Sequence, residues 1–482
     1  MGEKSVLEAL EPSRVFYYFE QISRIPRGSG NTRQISDYLV AFAVEHGLSY
    51  IQDALNNVVI YKEGTKGGEP VILQGHMDMV PEKRPGSAHD FKKDSLTLQV
   101  EGDELTARDT TLGGDDGIAL AYALAILESD VYEHPPLEAV FTVDEETGLL
   151  GARGLDCGCL KARRMINLDS EEEGILWAGC AGGKSVQAEI PMRRVKAEGV
   201  EARLTIHGLK GGHSGADIHR KRANAHILMG RLLYDLDQKL DYEIVGLRGG
   251  DKDNVIPSKC QADLLVDASQ GQEFLAFCQS WQETIRKEYA GSDEGIQVDF
   301  EEKGPETFAV LDPSGKSRLL FFLMQIPDGV HKFSGVCKHL VETSSNLGGL
   351  HLGENALYAS SGVRSSVDAA MDYMAEKISF LTEFLGGEAK TDGGYPAWEY
   401  KTDSPLRQIM AQVYEEQYQE EPKIMAIHAG LECGVFYKAI PDLDCVSIGP
   451  NMRDIHTPDE TLSISSTRRV FEYLLEVLRR LD

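Results

Sequence analysis

Positive charge is in short supply in this chain: 49 lysines and arginines stand against 77 aspartates and glutamates, a formal charge of −28. No clustered Lys/Arg stripe relieves the deficit, so phosphate backbones and anionic lipid would be repelled, and neither nucleic acid nor a membrane surface is an expected partner. Long hydrophobic runs are missing too. The longest, Gly117 to Leu127, is well short of the roughly 20 residues that cross a bilayer. Met1 to Arg14 carries charges where a secretory signal has an apolar stretch and a small-residue cleavage site, so a cytoplasmic location is expected. Eight cysteines among 482 residues are too sparse for a disulfide scaffold. Cys157-Gly-Cys159 has no second pair at zinc-finger spacing; a metal site made from it with Cys180 is one reading, and reduced structural thiols are the simpler one. Low-complexity tracts and internal repeats are also absent.

What is present is an ordinary globular composition, 42% hydrophobic and 26% charged, in a chain longer than a single core usually supports. The pattern predicts an α/β layer architecture with a largely parallel or mixed sheet. Val15, Phe16, Phe19 and Ile22 recur at helical spacing, as do Ile35, Tyr38, Leu39 and Phe42, the latter stopped by His46-Gly47. Buried strands are expected at Val71 to Leu73, Ala139 to Val143 and Met165 to Leu168, each running into acidic or histidine residues as active sites at strand ends do. From about Lys184 to Tyr395 the motifs thin out around the turn Gly208-Leu-Lys-Gly-Gly-His-Ser-Gly215. The α/β pattern then resumes, with a strand at Cys445 to Ile448 and a closing helix bearing Val470, Phe471, Leu474, Val477, Leu478 and Leu481. Residues 1–184 and 396–482 are therefore expected to form one domain, with 185–395 inserted in it. Gly182-Gly183 and Gly393-Gly394 are glycine-rich enough to act as hinges, although glycine pairs also simply end elements.

Five segments carry chemistry. In Val71-Ile-Leu-Gln-Gly-His-Met-Asp78, His76 and Asp78 lie two apart at a strand end, on one face; such a carboxylate can fix the tautomer of a metal-binding imidazole, although His-x-Asp alone also describes a polar turn. In Thr111-Leu-Gly-Gly-Asp-Asp-Gly117 two aspartates precede an apolar helix, where they serve either as an N-cap or beside a cation, since desolvated carboxylates need compensation. Asp144-Glu-Glu-Thr-Gly148 crowds three acids at a strand end, either in a solvated turn or with one acid on a metal and the next accepting a proton from water. Met165-Ile-Asn-Leu-Asp169 ends in an aspartate, and Gly449-Pro-Asn-Met-Arg-Asp-Ile-His-Thr-Pro-Asp-Glu460 supplies His456. Oxygen and nitrogen donors without thiolate suit zinc, and also manganese or cobalt, and their number fits two ions.

Together, His76-Met-Asp78, Gly113-Gly-Asp-Asp-Gly117, Asp144-Glu-Glu-Thr-Gly148, Asn167-Leu-Asp169 and His456-Thr-Pro resemble the co-catalytic zinc exopeptidases, across almost the whole chain. Within that family, Gln74-Gly-His-Met-Asp-Met-Val-Pro81 and His428-Ala-Gly-Leu-Glu-Cys-Gly434 resemble the branch that cleaves Xaa-His dipeptides. The resemblance implies a zinc-exopeptidase-like catalytic domain, its mixed sheet flanked by helices, with an inserted α+β lid domain. It implies that Asp115 bridges two zinc ions, His76 and Asp169 completing one site and Glu146 and His456 the other. Glu145 is then the general base, Asp78 the orienting carboxylate, and His213 the donor to the oxyanion. Asn254, Arg364 and Gly430 contact substrate, and the lid forms a homodimer. Gly114 departs from the family, which often has alanine there. Without the resemblance, His213 reads as a turn histidine and Arg364 as a surface ion-pair partner; His207, His219 and His428 receive no role. A short peptide is the expected substrate, such as β-alanyl-histidine. The alternatives are a tripeptide aminopeptidase or N-acyl amino acid deacylase on the same scaffold, a non-catalytic metal- or peptide-binding protein, and a phosphoesterase, the last without any Gly-rich phosphate loop to support it.

Overall fold

The apolar runs at 71–73, 139–143 and 165–168 all become buried strands. In the computed structural model, which describes residues 6–337 and 340–482, they form β3 (Val71–His76), β4 (Leu137–Thr142) and β5 (Arg164–Asn167). With β1 (Ser49–Gln52), β2 (Val58–Lys62), β6 (Ile175–Cys180), β7 (Lys423–Ile427) and β8 (Asp444–Ser447) they build one sheet, ordered β1-β2-β4-β3-β5-β8-β6-β7. The central strands β4, β3, β5 and β8 run parallel, while β1, β2 and β6 pair antiparallel, so the sheet is mixed. Parallel strands lie under helices on both faces and are apolar throughout; every residue of β3 and β4 is buried.

Six helices matter for this sheet: α1 (Ser13–Ser23), α2 (Arg33–Glu45), α3 (Gly114–Glu128), α4 (Pro405–Tyr418), α5 (Glu432–Ala439) and α6 (Ile464–Arg480). The helix α3 is buried from Gly114 to Leu127, as a helix apolar on all sides must be. Amphipathic α6 buries Val470, Phe471, Leu474, Val477 and Leu478. These residues share one core with the inner faces of α1 and α2.

The chain forms two units: Met1–Cys180 with Trp398–Ala426 and Leu431–Asp482, and Ala181–Ala397 with Ile427–Gly430. The second contains an antiparallel sheet ordered Gln297–Leu311, Arg194–His207, Cys260–Val266, Tyr242–Asp251, Val341–Leu352, Ala356–Ser365, Gly182–Pro191, Glu388–Tyr395, with Gly329–Phe333 added on Val341–Leu352. Its core takes in the apolar faces of the helices Ala225–Asp237, Gly271–Glu288, Pro313–Gln325 and Asp368–Phe384.

The candidate glycine hinges lie inside strands. Gly182 pairs with Ser365, and Gly183 with both Arg364 and Tyr395. Added Cβ atoms would come within 2.6 Å of the Ala397 nitrogen at Gly182 and 2.7 Å of the Tyr395 hydroxyl at Gly183. Close approach of a neighbouring segment is a requirement that glycine meets at both positions.

Candidate active site

Strand ends bring the first unit's chemistry together. His76 closes β3, and its Nε2 lies 3.0 Å from Asp115 Oδ1 and 3.6 Å from Asp169 Oδ1. His456 Nε2 lies 2.9 Å from Asp115 Oδ2 and 3.0 Å from Glu146 Oε1. Each oxygen of one carboxylate thus faces a different histidine. Asp78 Oδ1 is 3.3 Å from His76 Nδ1; the same carboxylate accepts from Ser29 Oγ at 2.8 Å and from the Glu145 N–H at 3.1 Å. Asp144 and His456 both sit in left-handed backbone, at φ 53° and 63°, a conformation rare outside glycine and often held at functional sites.

The aspartate pair departs from the N-cap alternative. Neither side chain caps α3, and both residues have non-helical backbone angles within its first turn. Asp116 turns inward instead, where its Oδ2 accepts the His76 N–H at 3.1 Å.

Electrostatics show what this crowding demands. Burial pushes Asp169 up to about 7 and Glu145 well above the usual carboxylate range, with neighbouring carboxylates adding to the shift. Burial opposes charge on both histidines, yet Asp169 and the surrounding carboxylates hold His76 well above its ordinary value, and Asp115 and Glu146 carry His456 to about 11. Asp115 would rise by burial, but hydrogen bonds from His456 and His76 keep it well below the usual range. With protons alone, the cluster is stable only by neutralising acids and charging histidines. Divalent cations would do the same while leaving the acids ionised. Ligand atoms of His76, Asp116 and Asp169, of His76, Glu145 and Glu146, and of Asp115, Glu146 and His456 each lie within 4.8 Å of one another. Asp116 Oδ1 is buried without a hydrogen-bond partner among the described residues. The donor set therefore fits metal ions.

The other expected residues lie in the second unit. His213 Nδ1 accepts from the N–H groups of Gly215 and Ala216 at 3.3 and 3.1 Å, so the neutral ring carries its proton on Nε2. Burial and the nearby Arg364 guanidinium lower the His213 pKa. Arg364 Nη1 donates to the Tyr395 hydroxyl at 2.6 Å, and its Nη2 is 3.4 Å from His213 Nε2. The Asn254 carbonyl accepts from Ser214 N at 2.9 Å. Gly430 lies against the Tyr395 ring, which a Cβ there would meet at 2.4 Å. His428 is buried, its Nε2 2.7 Å from Ser344 Oγ, and burial with Arg364 lowers its pKa to about 3.

Sequence reasoning assigned nothing to Tyr395, Glu432, Arg27 or Glu460. Glu432, pushed up to about 7 by burial, accepts at 2.5 Å from both Gln74 Nε2 and Thr142 Oγ1, beside the Asn167–Gln74 hydrogen bond of 2.6 Å. Its signal was an acid in a glycine-bearing segment that opens a buried helix. Cys157 and Cys159 are half-buried free thiols outside every candidate ligand group.

A mixed sheet whose strand ends gather two histidines among paired carboxylates defines a metal-dependent hydrolase, here a peptidase. The chain belongs to peptidase family M20/M25/M40, whose sequence profile matches residues 72–480. It is 36% identical over 482 residues to the cytosol non-specific dipeptidase of Escherichia coli K12, spanning 99% of both chains. The crystal structure of aminoacylhistidine dipeptidase from Vibrio alginolyticus is similar at 34% identity with a TM-score of 0.91, covering 99% of this chain and 98% of that one. A tripeptidase from Staphylococcus aureus shares the fold at 15% identity, with a TM-score of 0.56 and 98% of each chain covered. Among the described residues, no helix is long and apolar enough to cross a membrane.

Proposed function

We propose that this peptidase is a dipeptidase that uses two divalent ions, zinc being the best match to the donors. His76, Asp115 and Asp169 would hold one ion, and Asp115, Glu146 and His456 the other. The observation that carries this reading is the Asp115 carboxylate, with its two oxygens 3.0 and 2.9 Å from different histidines. When bound, the ions supply Lewis acidity, polarising the scissile carbonyl and making a water acidic at neutral pH. Glu145 would act as the ionised carboxylate that takes a proton from the attacking water, and burial, which raises its pKa, would help it hold that proton until it passes to the leaving amine. Asp78 orients His76. His213, with its proton on Nε2, donates to the developing oxyanion. Arg364, its fork braced by Tyr395, pairs with the peptide's free carboxylate, and Asn254 and Gly430 contact substrate.

The preferred substrate is an Xaa-His dipeptide such as β-alanyl-histidine, a reading supported by the aminoacylhistidine dipeptidase likeness at 34% identity. The non-specific dipeptidase of similar identity favours broader dipeptide cleavage. The cytosol is the expected location, as in that relative's name. A homodimer formed by the second unit as a lid domain is expected, and helix Asp368–Phe384 leaves Tyr373, Phe380 and Phe384 63%, 70% and 72% exposed, an apolar stripe of the kind interfaces cover.

Metal analysis with a substrate panel tests the proposal. Two equivalents of metal are expected, with hydrolysis of β-alanyl-histidine exceeding that of a tripeptide or an N-acetyl amino acid; inertness toward dipeptides would refute it. Glu145→Gln should lower kcat by at least about 100-fold while metal content stays at two. Unchanged turnover in that variant would remove Glu145 as the base.

A further inference from the structure

Two charged side chains packed under the acidic cluster have no part in the chemistry proposed above. Arg27 follows α1 and Glu460 precedes α6; they are 1% and 3% exposed. We propose that both are positioning residues, Arg27 clamping the turn that carries Asp115 to the strand end that carries His76 and Glu460 fixing that turn, and so setting how tightly the paired ions bind. This rests on the metal-site reading above.

Every hydrogen bond assigned to the two side chains ends on backbone of those two segments. Arg27 Nη1 donates to the carbonyls of Met77 at 3.1 Å and Asp78 at 2.9 Å, and its Nη2 donates to the Gly113 carbonyl. One planar fork thereby ties the residues just after His76 to the residue two before Asp115. Glu460 takes the opposite polarity. Its Oε2 accepts from the N–H groups of Leu112 at 2.8 Å and Gly113 at 3.1 Å, and its Oε1 from those of Gly114 at 2.8 Å and Asp115 at 3.4 Å. The turn is held through its carbonyl by a cation and through four consecutive N–H groups by an anion.

The glycines of Gly113-Gly-Asp-Asp-Gly117 are cut to this clamp. A Cβ on Gly113 or on Gly117 would stand 2.5 Å from Arg27 Nη2, and Gly113 also needs its left-handed φ of 64°. Burying charged side chains in place of apolar ones rarely adds stability, so stability alone is a poor reason for Arg27 and Glu460. Holding Asp115 so that its two oxygens face two histidines is a sufficient one.

Charge and position make opposite predictions for Arg27. By charge alone, deleting a cation beside the ligands tightens divalent binding; by position, deleting it loosens binding. The experiment titrates metal-free wild type, Arg27→Met, Arg27→Lys and Glu460→Gln with Co(II), following visible absorption and calorimetry, with far-UV circular dichroism confirming the fold. We expect two ions in wild type, and affinity for at least one of them weakened about tenfold or more in all three variants. Lysine keeps the charge but loses the fork, so wild-type affinity in Arg27→Lys, or tighter binding in Arg27→Met, overturns the clamp. Should Arg27→Met fail to fold, Arg27→Lys decides, because losing the Glu460 anion weakens divalent binding by charge as well as by position. A wild type that binds no ion would instead overturn the metal-site reading itself, and the clamp with it.

Discussion

His226 is a buried base in the core of the second unit. Its Nδ1 donates to the Leu347 carbonyl at 3.0 Å, and burial lowers its pKa to about 4 even though that carbonyl pulls the other way. An unfolded histidine titrates near 6.5, so between pH 6.5 and 4 the unfolded chain binds the extra proton. The His226 contribution is therefore whole above pH 6.5 and fades as pH falls toward 4, by at most about 3 kcal/mol. Asp328 runs the other way: burial raises it to about 6, so the stability its protonated form brings is present below pH 4 and lost as pH rises through 6. Urea denaturation should show the destabilisation by His226→Gln shrinking from pH 7 to pH 4.5, and that by Asp328→Asn growing over the same interval. At this scale the sequence was legible wherever a side chain announced itself through its neighbours. His76, Asp115, Glu146, Asp169 and His456 each end an apolar strand or adjoin a glycine turn, and the structure brings all five together. Arg27 and Glu460 gave no such sign, because their partners lie 86 and 348 residues away in the chain and nothing local specifies them.

Elements were legible in proportion to how apolar they are. Strands β3, β4 and β5 and helices α1, α2, α3 and α6 could be read from hydrophobic runs and spacing. The strand Val341–Leu352 could not: it is buried along nearly its whole length yet spelled Val-Glu-Thr-Ser-Ser-Asn-Leu-Gly-Gly-Leu-His-Leu. Its polar groups are satisfied by distant partners. Thr343 Oγ1 meets Ser365 Oγ at 3.0 Å, Ser345 Oγ donates to the Pro327 carbonyl at 2.7 Å, and Asn346 Nδ2 donates to the carbonyls of Asp253 and Val255 at 2.7 and 2.8 Å. Hydrogen-bonded burial of this kind leaves no hydrophobic signature. Element ends follow simpler rules. Ser463 caps α6, its Oγ accepting from Ser466 N at 3.2 Å while lying 2.6 Å from Asp103 Oδ2. Ser463→Ala should cost about 1 kcal/mol, read as a lowered midpoint in urea with an unchanged slope.

At the scale of the whole molecule, metal and fold should be linked. All six residues proposed as ligands and base, His76, Asp115, Glu145, Glu146, Asp169 and His456, belong to the first unit. Ions at about 1,000 times their dissociation constant stabilise what they bind by about 4 kcal/mol. Scanning calorimetry with and without a chelator should therefore lower the transition of the first unit and leave that of the second in place; a chelator that moved neither would count against bound metal. A fall in motif density is what suggests an insertion at residues 185–395, whereas the second unit comprises Ala181–Ala397 with Ile427–Gly430, and four residues carry too little pattern to read.

The place of β8 in the first sheet bears on how the protein is made. It lies between β5 and β6, although both are synthesised long before it. At a ribosomal pace of roughly 5–20 residues per second, the roughly 260 residues that separate β6 from β8 hold that slot open for about 15–50 seconds. Through that interval the nascent chain presents two apolar strand edges with no mate, the kind of surface on which chains pair with one another. Nearly all of the second unit is complete before its host can close. Efficient production should thus depend on slow growth temperatures or on chaperones that shield the waiting edges, more than on any stability measured in the finished protein.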